Sequence, residues 1–173
     1  MKKDSIVQTG DSVLRQVGEP IAKQDIGSRK VKSLIAKMKK ALDSEKYGVA
    51  LAAPQLGVPL RLFVIAGRVF LPEGAPEDAP TPPHLVFINP ELVRTSRKKT
   101  EVSEGCLSVR GKYGAVERYE RATVKALDEN GKFFVHNGSG LLAQIFQHEL
   151  DHLEGILFTD KATKLDDWKE KEG

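Results

Sequence analysis

Apolar positions recur along this chain in two periods, and the places where one gives way to the other predict its elements. From Ser28 to about Glu45, Val31, Leu34, Ile35, Met38, Ala41 and Leu42 follow three- and four-residue steps. That is the stripe of an amphipathic helix, and the lysines between them form its solvated face. Ser28 stands where an N-cap is needed and Gly48 follows the end. Upstream, residues 10–20 predict an irregular arm with one apolar cluster, Val13 and Leu14. L-R-L-F-V-I-A (60–66), bounded by Pro59 and Gly67, predicts a buried strand. Pro72, Pro76, Pro80, Pro82 and Pro83 then break regular structure, but strand-like H-L-V-F-I-N-P resumes at once. Residues 68–84 are therefore expected as a loop inside one domain. Further strands are predicted at 91–96, 99–103, 114–119 and 121–128. Asp128-Glu129-Asn130-Gly131 turns the last of these into Lys132–His136, with Asn-Gly as the hairpin signal. After Gly138-Ser139-Gly140 the helical period returns through Leu141, Leu142, Ile145, Phe146, Glu149 and Leu153, until Gly155 stops it. Many short strands and one strongly apolar helix predict an α+β fold. Short antiparallel β-sheets would wrap a C-terminal helix, with one N-terminal amphipathic helix beside them.

Composition narrows this only a little. A chain of 173 residues, 40% hydrophobic and 29% charged, suits one soluble domain over 1–173 that ends in a charged tail at 161–173. The net charge of +3 is mild and its basic residues are dispersed, which selects no partner. No apolar run approaches the roughly 20 residues that span a bilayer. The start, M-K-K-D-S-I-V-Q-T-G-D, has neither the apolar stretch of a secretory signal nor the acid-free bias of a transit peptide. A single cysteine fits a reducing compartment, so the cytoplasm is expected.

The chemistry is concentrated on the second helix, in Q-H-E-L-D-H (147–152). His148 and His152 are four residues apart, so both imidazoles leave one face and can converge on one ion. Glu149 lies about 100° around the helix, close to the pair but not between them. Neutral nitrogens can hold a metal there while a free carboxylate takes the proton of a water. Two half-buried structural histidines would show the same spacing. However, three ionisable groups on so apolar a helix are costly unless something pairs with them.

A catalytic divalent metal usually takes three protein ligands, and the helix offers two. Asp151 and Glu154 point away from the histidine face, no histidine follows His152, and His84 and His136 stand alone in strand-like segments. Cys106 remains, in S-E-G-C-L-S-V (103–109), where Gly105 permits close backbone approach and a thiolate ligates well. A third stretch, G-V-A-L-A-A-P-Q-L-G (48–57), reads either as a tight helix-to-strand connection or as a narrow wall for a small acyl group. In the second case Gln55 would donate to a developing oxyanion.

Together, G-V-A-L-A-A-P-Q, E-G-C-L-S and Q-H-E-L-D-H resemble the three motifs of the peptide deformylase family, in that family's order, over about Asp11 to Asp160. The resemblance implies Cys106, His148 and His152 as metal ligands and Glu149 as general acid/base. Gln55 and the backbone N–H of Leu107 would stabilise the oxyanion. It also implies one divalent ion, Fe(II) in the cell with Zn, Ni or Co as substitutes; with Fe(II) bound, the exposure of the thiolate to oxidation predicts activity that decays in air. Val49, Val102, Leu141 and Ile145 fall where the family lines its pocket for a methionine side chain. Gly48, Ala50, Glu104 and Gly105 complete the expected substrate site, with Arg118 pairing Glu104 in support. The implied partner is the N-formylmethionyl end of nascent peptides. A transient ribosome contact through the tail accompanies it, with no specific nucleic acid, no membrane and a monomer expected. Two positions depart from the pattern: Ala50 stands where Gly is usual, and Tyr113 where some members carry arginine. A zincin-type peptidase would share the helix but leave E-G-C-L-S without a task. A non-catalytic binder of formylated peptides would have no need of Glu149.

Overall fold

The computed structural model describes residues 5–168. The fold is α+β, with antiparallel sheets and a C-terminal helix. Helix α1 runs Arg29–Asp43, and the Ser28 side chain accepts a hydrogen bond from Val31 N at 3.2 Å. This satisfies one of the free amides of the first turn, the usual task of a serine N-cap. All six apolar positions of its stripe are buried, Met38 and Leu42 completely.

Five strands form one sheet in the order β1 (Ala50–Ala52), β2 (Leu62–Ile65), β3 (Leu85–Thr95), β6 (Arg121–Leu127), β7 (Phe133–Ser139), every neighbour antiparallel. Strand β2 is buried on both faces, which explains its unbroken apolar run. Its period of two divides it between two cores. Leu62 and Val64 join α1, while Phe63 and Ile65 face helix α2 (Gly140–Leu153). Phe87 on β3 stacks on Phe63 at 4.6 Å and meets Phe146 of α2 edge-on at 5.6 Å. A second sheet has the order β4 (Lys99–Gly105), β5 (Lys112–Tyr119), β8 (Lys164–Asp167). Helix α2 is fastened to it as well. Gln144 Nε2 donates to Ser103 O at 2.9 Å, and the Gln147 amide exchanges hydrogen bonds with both backbone groups of Tyr119.

Three features differ from the sequence expectation. The strands expected at 84–90 and 91–96 are one strand, β3, carried through Pro90 by a register shift between Ile88 and Glu91. Asn89 takes φ 49° there, and its amide pairs with both backbone groups of Ile21 at 2.8 Å. An Asn in the left-handed region with two hydrogen bonds of its own makes room for a proline in a strand. The charged tail expected at 161–173 is in part ordered structure. Lys164–Asp167 is strand β8 on β5, and the Trp168 ring meets Tyr113 edge-on at 6.2 Å. Residues 169–173, the end of that tail and of its expected ribosome contact, lie outside the described residues. The 68–84 segment begins with a short 3-10 turn (Gly67–Phe70). It packs back so closely that a Cβ on Gly67 would lie 1.7 Å from Pro82 O.

Beyond α2, Gly155 turns the chain with φ +73°, and an added Cβ would stand 2.5 Å from Arg15 O. Both the left-handed backbone and the collision oppose a side chain, so Gly155→Ala should cost at least about 2 kcal/mol. For a chain of this size that is a Tm lower by about 4–8 °C in scanning calorimetry. An unchanged Tm would contradict this account of the turn. Among the described residues no helix is long and apolar enough to cross a membrane.

Candidate active site

Helix α2 and the end of β4 bring the chemistry together. Gly105 closes β4, Cys106 follows it directly, and His148, Glu149 and His152 come from the last two turns of α2. The thiol and the two imidazoles each offer one donor atom, and these lie within 4.8 Å of one another. His152 Nε2 is 3.3 Å from Cys106 Sγ and 3.2 Å from His148 Nε2.

The surroundings decide what this cluster can do. His148 donates Nδ1–H to Glu104, which orients the ring and directs Nε2 towards the cluster. Glu104 is held in turn by a fork from Arg118, at 3.0 Å from Nε and 2.5 Å from Nη2, so the expected Arg118–Glu104 pair is present. Arg118 also reaches Asp151 at 2.7 Å, a partner that sequence reasoning missed. Burial alone would raise the Glu104 pKa, but the hydrogen bonds from His148 and Arg118 outweigh it and hold the group at about 2. His148 is pushed the other way. Burial disfavours its charge, yet pairing with Cys106 and Glu104 raises its pKa well above the ordinary value. His152 has no such carboxylate, and burial together with the nearby His148 lowers its pKa.

Two buried polar atoms have no hydrogen-bond partner among the described residues: Glu149 Oε2 and His152 Nδ1. Burial raises the Glu149 pKa to about 7, against the opposing pull of His148. A carboxylate tuned to that range and left unpaired is suited to taking up and giving back a proton. Two imidazole nitrogens and a thiol converging on one point match the ligand set of a borderline-soft divalent cation.

Beside the cluster lies a cavity of about 330 Å³. Its walls include Gly48, Val49, Ala50 and Gln55 on one side, and Glu104, Gly105, Cys106 and Leu107 on another. Leu141, Ile145, His148 and Glu149 line it from α2. Strands β1 and β4 are both sheet edges, so this cavity opens between two strands that each have a free side. Ala50, paired with Ile65 in β1, has a regular strand setting that accommodates its methyl group. A Cβ on Gly48 would meet Glu45, Leu107 and Leu42 side chains at 3.0–3.2 Å, so this wall has no room to thicken.

The Gln55 amide is oriented at both ends. Its Oε1 accepts from Ala52 N at 2.9 Å, which turns Nε2 towards Ser108 Oγ at 3.1 Å and Cys106 Sγ at 3.7 Å. The run 48–57 thus includes a helix-to-strand connection and also a wall of the cavity.

Val102 is a correction. It does not line this cavity but the adjoining groove, which shares Leu141 and Gln144 with it. The cavity begins one residue further along β4, where Ser103 and Glu104 line it. Tyr113, at the second departure from the family pattern, faces Trp168 and takes no part in the cavity. His84 is structural: Nδ1 accepts from Gly67 N at 2.9 Å and Nε2 donates to Asp43 at 2.8 Å. Sequence reasoning missed Tyr47, Ser103, Ser108 and Gln144. Gln144 was within reach, because it lies one helical turn from both Leu141 and His148. Ser108, fully buried, is marked by nothing local.

A profile described as polypeptide deformylase matches residues 3–168. The peptide deformylase of Mesorhizobium japonicum is 41% identical over 156 residues, covering 90% of this chain and 81% of that one. The chloroplastic peptide deformylase 1A of Solanum lycopersicum is 40% identical over 162 residues, 90% of this chain, which spans only 58% of that longer protein. Among solved structures, the Met-Ala-Ser-bound class I type b peptide deformylase of Acinetobacter baumannii superposes with a TM-score of 0.78. Its sequence is 33% identical, over 90% of this chain and 96% of that one.

Proposed function

The chain belongs to the polypeptide deformylase family, and from that premise we propose that it hydrolyses the formamide of N-formylmethionyl peptides, releasing formate and a free amino terminus. The observation that carries this reading is the buried Glu149 carboxylate, whose Oε2 has no hydrogen-bond partner among the described residues, beside the Cys106, His148 and His152 donors at the cavity's edge. Those three residues would hold a divalent cation, Fe(II) in our assignment with Zn, Ni or Co able to replace it. Bound there, the cation supplies Lewis acidity, which acidifies water and polarises a carbonyl oxygen.

The protein's own groups do the rest. Glu149 accepts a proton from water as the oxygen attacks the formyl carbon, and it returns that proton to the amine nitrogen as the C–N bond breaks. Without that return the amine would have to leave as an anion. Gln55 Nε2–H and Leu107 N–H donate to the oxygen that gains charge in the transition state. The peptide lies extended between the free edges of β1 and β4 and pairs through its main chain, as in strand addition. Its methionine side chain is directed to Leu141 and Ile145. The crowded Gly48 wall rejects acyl groups longer than formyl.

Gln55→Ala should lower kcat about 10²–10³-fold, the usual loss for one oxyanion donor. Bound metal and KM should change far less. A variant with unaltered kcat would remove Gln55 from the oxyanion role. The reading as a whole is tested by comparing formyl-Met-Ala-Ser with acetyl-Met-Ala-Ser in the metal-loaded protein. Release of formate without release of acetate is expected. Equal turnover of both would contradict the selectivity assigned to the wall, and turnover of neither would contradict the reaction.

A further inference from the structure

Five of the nine arginines have a polar partner for the guanidinium: Arg15 on Asp160, Arg61 on Glu154, Arg68 on Glu45 O, Arg110 on Glu45, and Arg118 on Glu104 and Asp151. The other four are Arg29 at the start of α1 and Arg94, Arg97 and Arg121, which gather at one corner. Among the described residues those three guanidinium groups have no hydrogen-bond or ion-pair partner. The corner is where the β3–β4 and β5–β6 turns join the two sheets. Its backbone is fixed: Ser96 N donates to Arg121 O at 3.0 Å, Arg121 N to Ser96 Oγ at 3.1 Å, and Glu120 N to Lys98 O at 3.2 Å. Lys98 and Lys99 add two more cations, of which Lys98 engages the Glu120 carboxylate at 3.1 Å.

Arg94 and Arg121 line a groove of about 610 Å³ together with Thr123, Asn137 and Ser139. Thr123 Oγ1 donates to Asn137 Oδ1 at 2.8 Å, so the Asn137 amide hydrogens remain as donors. The groove therefore presents guanidinium forks and neutral donors. Guanidinium groups pair bidentately with phosphate oxygens, and several in succession suit a repeating phosphate chain better than one small anion. No aromatic side chain lines the groove, which leaves no platform for stacking bases. A recessed channel also fits a strand better than the plane of a bilayer.

We propose that this corner binds RNA through its phosphate backbone, without base specificity. The surface is separate from the residues assigned to hydrolysis, so it stands or falls independently of that activity. The test is fluorescence anisotropy of a labelled RNA hairpin over a range of salt concentrations. The wild type should bind with a steep salt dependence. The variant Arg94→Gln/Arg97→Gln/Arg121→Gln should bind at least about tenfold more weakly at low salt. Its log–log salt slope should be shallower by about 2–3, because it neutralises three fewer phosphates. Lys32→Gln/Lys37→Gln/Lys40→Gln on α1, which removes the same charge elsewhere, should retain most of the affinity. Formate release from formyl-Met-Ala-Ser should be unchanged in both variants, showing that the fold is intact. Absence of wild-type binding would overturn the proposal. So would equal losses in the two variants, or, in a parallel co-sedimentation with anionic phospholipid vesicles, a loss of vesicle binding in the arginine variant while its RNA binding is retained.

Discussion

Replacing Glu149 with glutamine should cut formate release about 10³-fold, inside the 10²–10⁴ range for general acid–base catalysis, while bound metal stays unchanged. The glutamine keeps the shape and burial of the side chain but cannot accept a proton at neutral pH. Glu149 is 4% exposed, its Oε2 has no partner among the described residues, and burial raises its pKa to about 7. A buried carboxylate without a partner is costly to the fold, so its removal should leave the Tm equal or higher. That pattern of rate lost, metal kept and stability not lowered separates a catalytic base from a structural carboxylate, whose loss would lower the Tm. Formate release at the wild-type rate would remove Glu149 from the mechanism.

Cys106→Ser should release the metal. The thiol is the one donor of the cluster that comes from outside α2. Ser108 N donates to its sulfur at 3.4 Å and Gln55 Nε2 at 3.7 Å, so two donors already hold the sulfur in place. A hydroxyl in its place is a poor ligand for a borderline-soft ion. Loss of a supporting group around a metal already weakens binding roughly 10–100-fold, and loss of a ligand should exceed that. Dialysed variant protein should hold a small fraction of the wild-type metal, with formate release reduced in the same proportion. Full metal content together with full activity would exclude Cys106 from the site.

The elements most legible in the sequence were those whose pattern is local. The stripe of α1, the apolar run of β2, the Asn-Gly hairpin and the His148/His152 spacing each depend on neighbours a few residues away. Strand β3 was divided in two because Pro90 normally ends a strand. What carries it through is the Asn89 amide bonded to Ile21, a contact across 68 residues. Strand β8 was hidden in a run of charges because an edge strand facing water needs no apolar face. The same limit applied at the site. The helix announced two donors and the cysteine count suggested a third. The Ser108 and Ala52 contacts that aim Gln55, the Asp151 arm of Arg118, and the groove that takes Val102 away from the cavity all depend on chain segments meeting in space.

The central claim is that formyl hydrolysis depends on a metal held by Cys106, His148 and His152 beside Glu149. It is tested most directly by preparing the protein without metal under anaerobic conditions and restoring Fe(II) in steps. Bound metal and formate released from formyl-Met-Ala-Ser are measured at each step. Formate release should rise in proportion to bound metal and level off at one ion per chain. Full release from the metal-free protein, or none at full occupancy, would contradict the account.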